Sequence, residues 1–272
     1  MSERPNTDAL VKEQYADATN FNARADLHAR FGTNPYGWYR WAFDHFELPD
    51  GCRILELGCG TGRLWLQNRD RISSGWDITL TDFSAGMLAE AREGLKAVGR
   101  KFAFEVADAQ AIPFGNEAFD AVIANHMFYH VPDLHRGLRE VRRVLMPGGR
   151  FYTATNGADH MRELRELVGT LAPDLPFGST RGSRDFGLEP GGPLLEAHFA
   201  NVNLYRYQDG LVITEPDRLV DYVLSIPGAA DAFTGETLSR LRAAIGQRIA
   251  TTGSFHVTRR TGLFTADRPE SV

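Results

Sequence analysis

The stretch Ile54-Leu55-Glu56-Leu57-Gly58-Cys59-Gly60-Thr61-Gly62 runs from a short apolar segment through one acid into a G-x-G-x-G turn. A glycine turn closing a strand lets the backbone approach a ligand that a Cβ would push away. Glu56, two residues before the first glycine, sharpens the reading. A carboxylate there repels a pyrophosphate and attracts an ammonium group or a sulfonium-bearing amino acid. The dinucleotide fingerprint G-x-G-x-x-G calls for a third glycine at position 63, where this chain has Arg63. Taken alone, the motif is also compatible with a tight strand-to-helix turn that binds nothing.

Such a turn favours S-adenosylmethionine over a dinucleotide, and the following strands supply its context. Residues 76–80 read as a strand ending at Thr81-Asp82, twenty residues beyond Gly62. An acid at the end of the second strand reaches ribose hydroxyls, as it would in a nicotinamide enzyme. Phe83-Ser84-Ala85-Gly86-Met87-Leu88 then starts a helix with Ser84 as N-cap. This leaves Met87 either against an adenine face or in the core. A third strand over 102–106 ends at Ala107-Asp108-Ala109-Gln110. Asp108 there either accepts from an adenine amino group or forms a local turn with its own backbone. The fourth strand, 119–124, ends at Asn125-His126.

The segments 54–62, 80–87, 106–114 and 119–132 resemble the successive motifs of the class I S-adenosylmethionine-dependent methyltransferases. Within that class the chain is similar to the type 11-like group, which includes ubiquinone and menaquinone biosynthesis enzymes and many natural-product methyltransferases. The resemblance implies that Glu56, Gly58, Gly60 and Gly62 line the methionine part of the cofactor. Asp82 holds the ribose, Met87 flanks adenine, and Asp108 and Ala109 touch its edge. Phe83 and Asn125 complete the cofactor-binding set. The carry-over stops near Pro132, because substrate residues vary widely in this group.

Alternation of strands and helices calls for an α/β fold, a mostly parallel sheet with right-handed crossovers and helices on both faces. Residues 134–145 have helical spacing and stop at Pro147-Gly148-Gly149. A fifth strand covers 150–155, and a helix covers 161–171 with Leu164, Leu167, Val168 and Leu171 on one face. Residues 172–193, with four prolines, read as an exposed connection. A helix over 194–199, a strand over 202–207, helices over 217–224 and 237–249, and a last strand over 255–266 follow. The resemblance implies a Rossmann-like seven-stranded sheet in the order 3-2-1-4-5-7-6, its last two strands antiparallel. The expected organisation is an N-terminal helical lid over 1–50 and a cofactor-binding domain over 51–272. Cap insertions around 158–195 and 209–252 are read either as a cover for the ligand crevice or as extra packing.

Residues 31–46 hold Tyr36, Trp38, Tyr39, Trp41, Phe43 and Phe46, and Trp38, Trp41, Ala42 and His45 share one helical face. Aromatic stripes at this spacing usually pack against a sheet. The sharper reading is a lid, since electron-rich ring faces stabilise a sulfonium cation. Tyr15 is the N-terminal candidate for that contact. Composition sets further bounds. With 35 acidic and 30 basic residues the net charge is −5, so no nucleic-acid partner is expected. Cys52 and Cys59 make neither a disulfide framework nor a four-ligand zinc site, and no metal is expected. No signal core or spanning apolar run is present, so no membrane partner is expected and cytoplasm is the default location.

Methyl transfer asks the protein to align a nucleophile opposite sulfur and to exclude water. An oxygen, a protonated amine or a weakly acidic carbon must also lose a proton, a task that suits imidazole. His126, Tyr129 and His130 follow the fourth strand, at the sheet edge where open α/β folds bind ligands. Each is a catalytic candidate, with His126 foremost. Each also has a bland alternative, the satisfaction of backbone groups in a crowded loop. The expected activity is therefore methylation of a small organic molecule, such as a secondary metabolite or biosynthetic intermediate. Nucleic-acid or protein methylation and non-catalytic cofactor binding are the alternatives. Asn125-His126-Met127-Phe128 departs from the Asn/Asp-Pro-Pro-aromatic motif of enzymes that methylate exocyclic amines.

Overall fold

A computed structural model describes residues 19–175 and 185–270. Tyr15 lies outside the described residues, as do 176–184 of the irregular connection. The strands in chain order are β1 (Arg53–Leu57), β2 (Asp77–Asp82), β3 (Ala103–Val106), β4 (Phe119–Asn125), β5 (Leu145–Asn156), β6 (Ala200–Tyr207), β7 (Gly210–Ile213), β8 (Phe255–Thr258) and β9 (Thr261–Asp267). The helices are α1 (Thr19–Phe31), α2 (Trp38–Phe43), α3 (Arg63–Gln67), α4 (Ala85–Leu95), α5 (Leu134–Val144), α6 (Arg162–Leu171), α7 (Leu188–Glu196), α8 (Pro216–Leu224), α9 (Ala229–Ala232) and α10 (Gly235–Thr252).

The chain divides into two compact units, of which the larger comprises residues 38–158, 185–207 and 261–270. It holds a seven-stranded sheet in the order β3-β2-β1-β4-β5-β9-β6. The first five strands pair in parallel, and β9 joins β5 and β6 antiparallel. This is the expected Rossmann-like order, with β9 standing where the expected strand 7 does because β7 and β8 pair with each other. Neighbouring residues along the central strands enter opposite apolar cores. Ile54, Ile123, Tyr152 and Leu263 pack on one face; Leu55, Val122, Phe151 and Phe264 pack on the other. Both faces are covered, so β1 and β4 are apolar almost throughout instead of alternating.

Local chemistry sets the helix starts. Ser84 Oγ accepts from the Met87 N–H at 3.2 Å at the start of α4, as the sequence predicts. Asp133 Oδ1 accepts from the Arg136 N–H at 2.9 Å at the start of α5. Such caps contribute about 1 kcal/mol each. α7 begins at Leu188, ahead of the start at 194 that the spacing suggests, and runs through Pro190 and Pro193. Pro190 sits in the first turn, where its missing N–H has no intrahelical partner to lose. Gly191 is required by packing, since a Cβ there would lie 2.9 Å from the Phe264 ring.

The smaller unit comprises residues 19–37, 159–175 and 208–260. It contains the β7-β8 ribbon and the helices α1, α6, α8, α9 and α10 around a third apolar core, with Leu164, Leu219, Val223, Leu241 and Ile245 fully buried. The strand expected over 255–266 is two strands in two sheets, parted at Arg259-Arg260. The reason is electrostatic as well as geometric. Arg259 is committed to the buried Asp209 at 2.5 Å, and Asp209 also accepts from Thr33 Oγ1 and the Asn34 N–H. Among the described residues, no helix is long and apolar enough to cross a membrane.

Candidate active site

The glycine turn leaves the carboxyl end of β1 with Gly58, Gly60 and Gly62 all at positive φ. At Gly58 the demand is twofold: φ is +64°, and a Cβ would lie 2.7 Å from the Met127 Cβ. A Cβ on Gly62 would meet the Leu95 side chain at 2.8 Å. The turn is fastened by the neighbouring strand. Asp82 Oδ2 accepts from the Gly60 N–H at 2.9 Å, and Oδ1 accepts from the Ser84 N–H at 2.9 Å. The Cys59 N–H donates to the Thr81 carbonyl at 2.9 Å.

Glu56 is 2% exposed. Its Oε2 accepts from the Trp65 indole N–H at 2.6 Å. Burial pushes the Glu56 carboxyl up to about 8, with the Asp82 charge adding to the rise and the Trp65 and Asn125 side chains opposing it. Burial also raises Asp82, against the backbone N–H groups of Ser84, Gly60 and Phe83. The Cys59 thiol, buried beside both acids, is held well above its ordinary range and stays protonated.

Sequence reasoning did not single out Trp65, although its signal was available. It lies three residues after Gly62 on α3, and helix side chains lean toward the N-terminal end, here toward the strand the turn has just left. Thr61 was likewise passed over. Its Oγ1 is buried with no hydrogen-bond partner among the described residues.

At the end of β3, Asp108 Oδ1 accepts from the Gln110 N–H at 2.8 Å, the local turn that was its alternative reading. Ala109 beside it is buried, and Phe83 is half-buried. Met87, on α4, is buried at 2% exposure. At the end of β4, Asn125 carries two buried amide atoms, Nδ2 and Oδ1, without a well-formed hydrogen bond among the described residues. The amide is nonetheless near enough to Glu56 to favour its carboxylate.

His126 follows with φ +54°, a left-handed conformation that costs a residue with a Cβ about 1–2 kcal/mol. Its N–H donates to the Ala154 carbonyl at 3.1 Å. Its ring lies 5.1 Å from Trp38 and 6.5 Å from Tyr129, and Tyr129 lies 4.6 Å from His130. The three candidates from the fourth-strand loop are thus one chain of rings. Trp38 and Tyr207 extend it, 5.5 Å apart in an edge-to-face pair. Trp38 is part of the core, as the aromatic-stripe reading expects, yet its indole nitrogen is buried without a hydrogen-bond partner among the described residues. No cue in the sequence brings Tyr207, at the end of β6, into this group.

The residues fit a ligand with an amino-acid end. Buried donors and acceptors without partners cost about 1–3 kcal/mol each, so Thr61 and Asn125 are best explained by a group that completes them. Glu56 and Asp82 add acid character, and among the described residues no cationic side chain contributes to the shift of either.

A methyltransferase-domain family profile matches residues 55–153. A demethylmenaquinone methyltransferase of Thermus thermophilus is 42% identical over 113 residues, 42% of this chain and 51% of the relative. A demethylmenaquinone methyltransferase of Beutenbergia cavernae is 31% identical over 183 residues, 67% of each chain. The chain spans about half the length of several of the curated relatives it matches. Among solved structures, phosphoethanolamine N-methyltransferase 2 of Haemonchus contortus with S-adenosylmethionine has a TM-score of 0.59 at 18% identity. That match covers 98% of this chain and 61% of the other, and it speaks for the fold. Motif order, sheet order and sequence identity agree: the chain belongs to the S-adenosylmethionine-dependent methyltransferase family.

Proposed function

We propose that this chain is an enzyme that transfers a methyl group from S-adenosylmethionine to a small organic molecule by in-line displacement. The observation that carries the reading is the pair of acids at the glycine turn, the buried Glu56 and the part-buried Asp82, with no cation among the described residues offsetting either. A ligand bringing an ammonium and a sulfonium gains there, whereas a pyrophosphate meets two acids. When bound, S-adenosylmethionine supplies an electrophilic methyl group.

In this reading Glu56 receives the ammonium, and Gly58, Gly60 and Gly62 let the backbone lie close to the methionine moiety. The buried amide of Asn125 offers that moiety both a donor and an acceptor. Asp82 accepts from the backbone N–H groups of Gly60, Ser84 and Phe83 and keeps its remaining lone-pair capacity for ribose hydroxyls. Phe83 and Met87 flank adenine, Asp108 and Ala109 meet its edge, and Tyr15 joins from the N-terminal segment. His126 takes the proton of the acceptor, while Tyr129 and His130 hold its ring or pass the proton on. A small acceptor is consistent with the net charge of −5 and with relatives named for demethylmenaquinone.

Calorimetry with S-adenosylhomocysteine and with NADH tests the cofactor, and the first alone should bind. Transfer of labelled methyl groups to a panel of phenols, amines and activated carbons tests the reaction. Label recovered only in RNA or protein would overturn the small-molecule reading.

A further inference from the structure

Glu56 and Trp65 form a hydrogen bond sealed from solvent: the acid is 2% exposed, the indole 0%. The bond occupies Oε2 at 2.6 Å, and the Asn125 side chain also favours the carboxylate. The indole therefore tethers one oxygen of the carboxyl. Trp65 has little freedom of its own. It is packed against Phe43 and Phe102, with ring centroids at 6.2 and 6.1 Å.

We propose that Trp65 is a positioning residue for cofactor capture: it fixes the Glu56 carboxyl so that Oε1 meets the ligand ammonium, and capture expels a proton from that carboxyl. This rests on the methyltransferase reading above.

The linkage follows from the surroundings of Glu56. Among the described residues its titratable neighbours are acids, Asp82 on β2 and Cys59 in the turn, and the polar neighbours are Trp65 and Asn125. With the carboxyl held near 8, the protein without ligand keeps Glu56 protonated at neutral pH. An ammonium bound beside it favours the carboxylate. The O–H bond breaks, the electron pair stays on the carboxylate, and the proton leaves to solvent.

Binding of S-adenosylhomocysteine to the whole chain tests this. Below about pH 7.5 the ligand amine keeps its proton, so a pH slope there belongs to the protein. Affinity should rise about tenfold per pH unit from about pH 6 to 7, with about one proton released per ligand in calorimetry run in two buffers. Glu56→Gln should bind weakly, with no such slope. Trp65→Phe keeps the ring packing but removes the donor. It should bind about tenfold more weakly at pH 7, and the Glu56 titration, followed through the infrared band of its buried carboxylic acid, should move up by about one pH unit.

A flat wild-type profile, or a Trp65→Phe titration superimposed on the wild type, would overturn the proposal. Should Trp65→Phe fail to fold, Glu56→Gln decides: retention of the wild-type slope would assign the proton to Asp82 and reject the proposal. Absence of binding at every pH would reject the methyltransferase reading, and this inference with it.

Discussion

The two ends of the candidate site are built differently. At the proposed cofactor end, Asp82 grips the backbone of Gly60 and Ser84 with both carboxylate oxygens, and Glu56 is pinned by one indole. At the proposed acceptor end, His126, Tyr129, His130, Trp38 and Tyr207 meet ring to ring, with centroids 4.6–6.5 Å apart along the chain of contacts. Hydrogen bonds to backbone fix a position sharply, whereas ring contacts tolerate exchange among aromatic residues. The first arrangement suits a ligand that never changes. The second suits a partner that differs from one relative to the next.

Substitutions can break that contrast, beginning with the largest expected effect. Gly58→Ala forces a Cβ to within 2.7 Å of Met127 at a positive φ, so S-adenosylhomocysteine affinity should fall by more than about 100-fold. Calorimetry showing less than about a tenfold loss would mean that the turn yields. His126→Ala should slow turnover by about 100-fold, the range of a lost general base, while leaving that affinity within about twofold of wild type. An unchanged rate would remove His126 as the base. His126→Gly should be equally slow yet more stable than His126→Ala by about 1 kcal/mol in denaturant unfolding, because glycine accepts φ +54° without strain. Asp82→Ala should weaken cofactor binding by about 1–3 kcal/mol, and an unaltered affinity in a folded variant would deny it the ribose.

What the sequence disclosed follows the same division. Gly58 to Gly62, the N-cap at Ser84 and the acid at the end of β2 are local devices: each works within a few residues, so spacing alone reveals it. The Glu56–Trp65 bond spans nine residues across a turn and needed helix geometry to be foreseen. The meeting of Trp38, His126 and Tyr207 joins α2, the β4 loop and β6, and no period in the chain encodes it. The first turns of α7 were hidden because its prolines mimic a loop, although one of them sits where a helix accepts it. The β8–β9 break was written in Arg259-Arg260, two charges inside an apolar run, but became readable only with Asp209 in place.

The smaller unit is assembled from three separate lengths of chain, 19–37, 159–175 and 208–260, which share one apolar core. Removing any one would leave the other two with unburied faces, so this unit is not a cassette that recombination can lift out. Transplanting it between relatives would take three coordinated splices, and divergence there must proceed by substitution within a fixed weave.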